Sequence, residues 1–136
     1  MNLKDILSIS ATPGLFKLVD SRPNGLLAAG LDGGKTKFFS MRKHQFTPME
    51  TVAIYTTEDT IELKEIFERM LDQLEENPPA KVKDKSDTIE DYFSSIVPNY
   101  DEDRVYISDM KKVIKWFNIL NEKGYLAMDP ETDEEE

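Results

Sequence analysis

The chain has 136 residues, 39% hydrophobic and 32% charged, with a formal net charge of −10 and no cysteine. That length suits one domain or two small ones, and the missing cysteine excludes disulfides, thiolate nucleophiles and sulfur-ligated metals. The acidic balance disfavours a general binder of nucleic acid or anionic membranes, while leaving room for a local basic face.

The charge is uneven. Residues 1–75 hold 9 basic and 11 acidic side chains, residues 76–136 hold 8 and 16, and the tail over 129–136 has six acids and no base. The start, Met1-Asn2-Leu3-Lys4-Asp5, lacks a basic stretch followed by an apolar one. No apolar run approaches the ~20 residues that span a bilayer. A cytoplasmic, soluble protein is expected.

In chain order, residues 2–7 read as a short helix. Asn2 is its N-cap, Asp5 stands three residues on, and Leu3, Ile6 and Leu7 share one face. Thr12-Pro13-Gly14 ends that segment. Strands are predicted over 15–19, 26–31 and 35–41, with turns at Arg22-Pro23-Asn24-Gly25 and Asp32-Gly33-Gly34. A polar connection over 42–48 leads to a fourth strand over 51–55, where Val52 and Ile54 point one way and Ala53 and Tyr55 the other. The period then changes. Leu63, Ile66, Phe67, Met70, Leu71 and Leu74 form the apolar stripe of an amphipathic helix, with Asp59 and Glu62, or Thr60, at its start.

Residues 76–87 read as a linker. With Pro78, Pro79 and alternating charge, they cannot bury enough apolar surface to offset the entropy of ordering. Asp87 and Glu90 then open a helix over 88–97 whose face is Ile89, Tyr92, Phe93, Ile96 and Val97. A loop over 100–107 follows, with room for a short extended piece. Ser108 caps a last helix, Asp109 lies in its first turn and Gly124 just past its end. Met110, Val113, Ile114, Trp116, Phe117, Ile119 and Leu120 give that helix a broad apolar face. The expected fold is α+β: a small SH3-like antiparallel barrel or curled sheet with a closing helix over 1–75, a linker over 76–87, a two-helix unit over 88–128 and an acidic tail over 129–136.

The chain resembles a family of short bacterial proteins known as domain of unknown function 5606. The resemblance lies in Met1-Asn2-Leu3-Lys4-Asp5-Ile6-Leu7-Ser8-Ile9-Ser10, Pro13-Gly14-Leu15-Phe16-Lys17-Leu18-Val19, Asn24-Gly25 and Val52-Ala53-Ile54-Tyr55-Thr56. A C-terminal segment of the same family is similar to Tyr92-Phe93, Pro98-Asn99-Tyr100-Asp101, Arg104 to Lys112 and Trp116-Phe117-Asn118-Ile119-Leu120. These are structural signatures, and the resemblance implies no activity, substrate or site. Residues 35–48 depart most from the pattern.

Motifs that invite chemistry fail where they are specific. Gly34-Lys35-Thr36 lacks the phosphate-loop glycine five positions before Gly34, where Ala29 stands, and leads into a strand instead of a helix. Asp101-Glu102-Asp103 starts like a calcium loop but has Tyr106 where the turn glycine belongs and Lys112 where the closing glutamate belongs. His44 is the sole histidine and has no carboxylate nearby in sequence to orient it. No serine has a nucleophile-elbow context. No enzyme activity, cofactor or metal is expected; an enzyme would need a cleft assembled from both parts of the chain.

Two groups of residues remain. Lys35, Lys37, Arg42, Lys43 and His44 form a basic cluster, with no acid between Asp32 and Glu50 and with Phe38, Phe39 and Phe46 interleaved. Such a surface can stack bases and meet phosphates, unless the rings face the core and the cations balance the acidic half. Tyr100, Tyr106, Trp116, Phe117 and Tyr125 supply aromatics for a protein interface or for the helical core. The expected function is a protein-interaction or adaptor module with a protein partner, either itself or another chain. The alternative is nucleic-acid binding, with the acidic tail as internal competitor.

Overall fold

The computed structural model describes residues 3–31 and 33–126. Strands β1 (Ile6–Ile9), β2 (Phe16–Arg22), β3 (Gly25–Gly30), β4 (Lys37–Ser40) and β5 (Phe46–Pro48) come first. After one 3₁₀ turn, Met49–Thr51, follow β6 (Ala53–Tyr55), β7 (Thr60–Glu62) and helices α1 (Leu63–Asp72), α2 (Ser86–Ile96) and α3 (Ile107–Glu122). The class is α+β. The first five strands make one antiparallel sheet ordered β4-β3-β2-β1-β5, and β6 and β7 make a separate hairpin. The chain divides into two compact units, Asn2–Val52 and the segment from Ala53 onward.

In the first unit, β1 is the largest departure from the predicted elements. Residues 6–9 form a strand between β2 and β5, where a helix over 2–7 was expected; Asn2, its expected cap, lies outside the described residues. Asp5 takes φ 65°, which no α-helix continues. Ile6, Leu7 and Ile9 are all buried. A strand covered on both faces reads as a continuous apolar run, so the spacing of Leu3, Ile6 and Leu7 fits a helix face equally well. Strand β5, in the expected polar connection, pairs Ile9 with Phe46 and Leu7 with Pro48. The sheet stays open: among the described residues its edges β4 and β5 do not pair with each other, so the expected SH3-like barrel is not closed.

The predicted turn at residues 22–25 closes the β2–β3 hairpin, with Arg22 opposite Gly25. Leu7, Ile9, Ala28 and Phe39 form the core beneath the sheet, flanked by Phe16, Leu18, Leu26 and Phe46. The rings of Phe16 and Phe39 meet edge to face at 5.3 Å.

In the second unit, the expected strand over 51–55 begins two residues later, because Met49–Thr51 is coiled, and it pairs only with β7. Thr60 and Glu62, expected at a helix start, form that partner strand. Ile54 and Ile61 face inward as a cross-strand pair. Helix α1 buries Leu63, Ile66, Phe67 and Met70; α2 buries Ile89, Tyr92, Phe93 and Ile96; α3 buries Met110, Val113, Ile114, Phe117 and Leu120. The rings of Phe67 and Phe117 lie 5.9 Å apart, so α1 packs in the helical unit. Each buried ring contributes roughly 1.5–3 kcal/mol. The compact units therefore divide near residue 52, where the sequence reading places a boundary over 76–87.

In the segment over 76–87, Asn77 bonds back to residues 73 and 95, and residues 81–84 form a local turn. The Asn77 side chain donates to Ser95 Oγ at 2.8 Å and to Gln73 Oε1 at 3.1 Å, and the Lys81 N–H donates to the Asp84 carboxylate at 2.8 Å. Helix α2 starts at Ser86 without the expected Asp87–Glu90 cap. Helix α3 starts one residue ahead of Ser108, and the Tyr106 N–H donates to the Asp109 carboxylate at 2.9 Å. Its end is a Schellman motif: Gly124 has φ 82°, its N–H donates to Asn121 O, and Tyr125 N–H donates to Leu120 O. The tail over 129–136 lies outside the described residues.

Candidate interaction surfaces

The first candidate surface is the basic cluster. Lys37 lies on β4, Lys35 just before it, and Arg42, Lys43 and His44 in the turn after it. Lys35, Lys37, Arg42 and Lys43 are exposed, and none forms an ion pair among the described residues. His44 is half-buried. Its Nδ1 lies 2.9 Å from Ser10 O, and its ring meets Phe39 edge-on at 5.5 Å. A carbonyl only accepts, so Nδ1 carries the proton and the imidazole is anchored to the strand unit.

Alternation sets Phe38 and Lys37 on opposite faces of β4, and burial removes the other two rings. Phe39 sits in the core and Phe46 packs against it. Phe38 is 46% exposed. It lies on the opposite face of β4 from Lys37, its neighbour in sequence. Its ring covers Gly25: a Cβ there would stand 2.7 Å from Phe38 Cζ and 2.3 Å from Phe39 O. Gly25 thus permits both the close strand approach and the seated ring.

The second surface lies around the start of α3. Of the five aromatic residues singled out in the sequence, Phe117 is fully buried in the core; Tyr100, Trp116 and Tyr125 are half-buried; Tyr106 is 63% exposed. Tyr100 meets Phe93 edge to face at 5.3 Å. Burial raises its pKa, helped by the nearby charges of Glu102, Glu90 and Asp91. Three residues outside that aromatic group, Tyr55, Asp101 and Arg104, assemble beside it. The Arg104 guanidinium lies over the Tyr55 ring, 4.2 Å from its centroid, and its Nε donates to Asp101 Oδ2 at 2.9 Å. The Asp101 N–H donates to Tyr55 O at 2.9 Å. The Arg104 hydrogen bond, then the Asp103 N–H, hold the Asp101 carboxyl below its ordinary pKa. The outward alternation of Ala53 and Tyr55 is the one signal in the sequence that points here; Arg104 is hidden among acids.

An open depression of about 190 Å³ near the β6–β7 turn is lined by Thr56, Glu58, Asp59, Glu65 and Arg69 among others. Arg69 is already committed, to Glu65 at 2.9 Å and to Ile96 O at 3.0 Å. Among the described residues no three acidic or histidine side chains converge as a metal site. Among them, too, no helix is long and apolar enough to cross a membrane.

The division near residue 52 changes the charge picture. Residues 1–52 carry seven basic and four acidic side chains, a net +3; residues 53–136 carry 10 and 23, a net −13. A cut at residue 75 hides this contrast, because residues 53–75 bring seven acids and two bases to the basic half.

The comparisons fall on the same boundary. Residues 3–49 match the domain of unknown function DUF5606, and residues 52–120 match the domain of unknown function DUF6852. A solution NMR structure of a Bacteroides vulgatus protein, a structural genomics target, is 33% identical over 91% of this chain and 89% of that one, with a TM-score of 0.72. No curated protein matches.

Proposed function

Since this chain belongs to the DUF5606 and DUF6852 families, both domains of unknown function, we propose from its exposed chemistry that it is a non-catalytic protein-interaction module. The observation that carries the reading is the preassembled Tyr55–Arg104–Asp101 set, with Tyr106 exposed two residues beyond Arg104. Tyrosine and arginine dominate binding hot spots. An arginine already stacked and tethered loses little further freedom on binding, so more of its interaction energy appears as affinity. With Nε bound to Asp101, the two terminal nitrogens have no hydrogen-bond partner among the described residues. They suit a partner carboxylate or carbonyl.

Nucleic-acid binding at the Lys35–His44 cluster has weaker support. Base stacking beside phosphate contacts needs rings and cations on one face. Here Phe39 and Phe46 turn inward and Phe38 faces away from Lys37.

The test is affinity capture with the full chain against its Arg104→Ala and Tyr106→Ala variants, alongside light scattering of each. A set of proteins, or a self-associated mass, lost in both variants is expected. Identical capture and mass for all three chains would overturn the reading.

A further inference from the structure

Beyond the tyrosine–arginine surface, we propose that the free edge of β4 takes an extended acidic segment of a partner protein as an added strand. Strand β4 ends the sheet order, with β3 on one side only. The Met41 N–H donates to Asn24 O, which fixes the phase of the β3–β4 ladder. Lys37 and Phe39 therefore spend their backbone groups on β3, while the Phe38 N–H and C=O and the Ser40 N–H point outward. None of these three bonds within the described residues outside the ladder. An incoming strand finds a donor and an acceptor on one residue, Phe38.

Charge selects the partner. The edge is bordered by Lys35, Lys37, Arg42 and Lys43, all exposed and without ion pairs among the described residues, in a unit of net +3. Lysines on an edge oppose pairing with an identical edge, because two such strands juxtapose like charges. The same lysines attract carboxylates. Alternation then sets the pattern of the ligand: an acid opposite Lys37 on one face and an apolar residue opposite Phe38 on the other. The ligand class is an extended peptide of alternating acidic and apolar residues. The separation of Phe38 from Lys37, which disfavours a nucleic acid, is what a strand requires.

The probe is a fluorescent peptide, Gly-Glu-Val-Glu-Phe-Glu-Val-Gly, titrated into the full chain and followed by anisotropy and by amide NMR. Binding is expected to shift the Phe38 and Ser40 amides, to weaken with added salt, and to weaken about tenfold in the Lys35→Glu/Lys37→Glu variant. A backbone N-methylated copy of the peptide keeps the carboxylates but loses main-chain donors, and should not bind. Equal binding of that copy, or no shift at Phe38 and Ser40, overturns the proposal. So does a thymidine oligonucleotide that binds more tightly and is lost in the same variant, which reassigns the edge to nucleic acid. A self-associated mass lost in that variant reassigns it to a second copy. The Arg104 and Tyr106 variants should bind the peptide normally, which separates this proposal from the tyrosine–arginine surface.

Discussion

Arg104 lies with its guanidinium 4.2 Å from the centre of the Tyr55 ring, joining the loop before α3 to strand β6 across 49 positions of sequence. A cation over a ring contributes about 0.5–1 kcal/mol at an exposed site. A double-mutant cycle of Arg104→Ala and Tyr55→Leu, read by urea unfolding, should return a coupling energy in that range. A coupling of zero would mean that the stacked geometry does not hold in solution.

Acid should expose the same contact. Asp101 is held below its ordinary pKa by Arg104, and Asp20 by Arg22. A carboxyl whose folded pKa is depressed adds stability above its ordinary value of 3.8, and that stability is lost as pH falls toward the folded value. Stability measured between pH 5 and pH 2 should therefore fall more gently in Asp101→Asn than in the parent chain. Parallel curves would remove Asp101 from the account.

Tyr92 in α2 carries a buried hydroxyl with no hydrogen-bond partner among the described residues, and burial pushes its pKa up. An unsatisfied buried polar group costs about 1–3 kcal/mol. Tyr92→Phe should therefore leave stability unchanged or raise it by about 1 kcal/mol in thermal unfolding. A phenol with a raised folded pKa adds stability below pH 10 that is lost as pH rises past it, so the variant should also resist alkali better. A destabilised Tyr92→Phe would reveal a partner for the hydroxyl.

Gly25→Ala should cost at least about 1–3 kcal/mol, because the added carbon meets Phe39 O, a backbone atom that cannot swing aside. Trimming the ring with Phe38→Ala should not restore stability. Full rescue by that second change would show that only the ring, and not the strand spacing, excludes a side chain.

The unit boundary can be tested by fragments. Residues 53–136 should give a cooperative helical unfolding transition by circular dichroism. Residues 76–136, cut where sequence composition changes, lack α1 and with it the Phe67 contact to Phe117, and should unfold at markedly lower temperature. Equal melting of the two fragments would place α1 outside the helical core.

Much of the helical half was legible in the sequence. The stripe of Leu63, Ile66, Phe67 and Met70 and the faces of α2 and α3 follow a local 3.6-residue period, and Gly124 marks a helix end by its own backbone freedom. The turn at residues 22–25 and the inward Ile54 are legible for the same local reason. Strand β1 was not, because a strand buried on both faces loses its alternation. The candidate surfaces were half legible: Tyr106 is exposed as an interface residue must be, while Phe117 went to the core. Tyr55 and Arg104 carry no shared local pattern at all.

The sequence by itself determined the α+β class, the helix faces, the missing thiol chemistry and the excess of acid. Only the tertiary structure decided that β1 lies inside a sheet, that α1 belongs with α2 and α3, that Phe39 goes to the core while Phe38 stays exposed, and that Arg104 finds Tyr55. Local periodicity follows from the geometry of one element. Strand order, helix partnership and a ring under a distant cation depend on which surfaces are buried together, which no single stretch of sequence encodes.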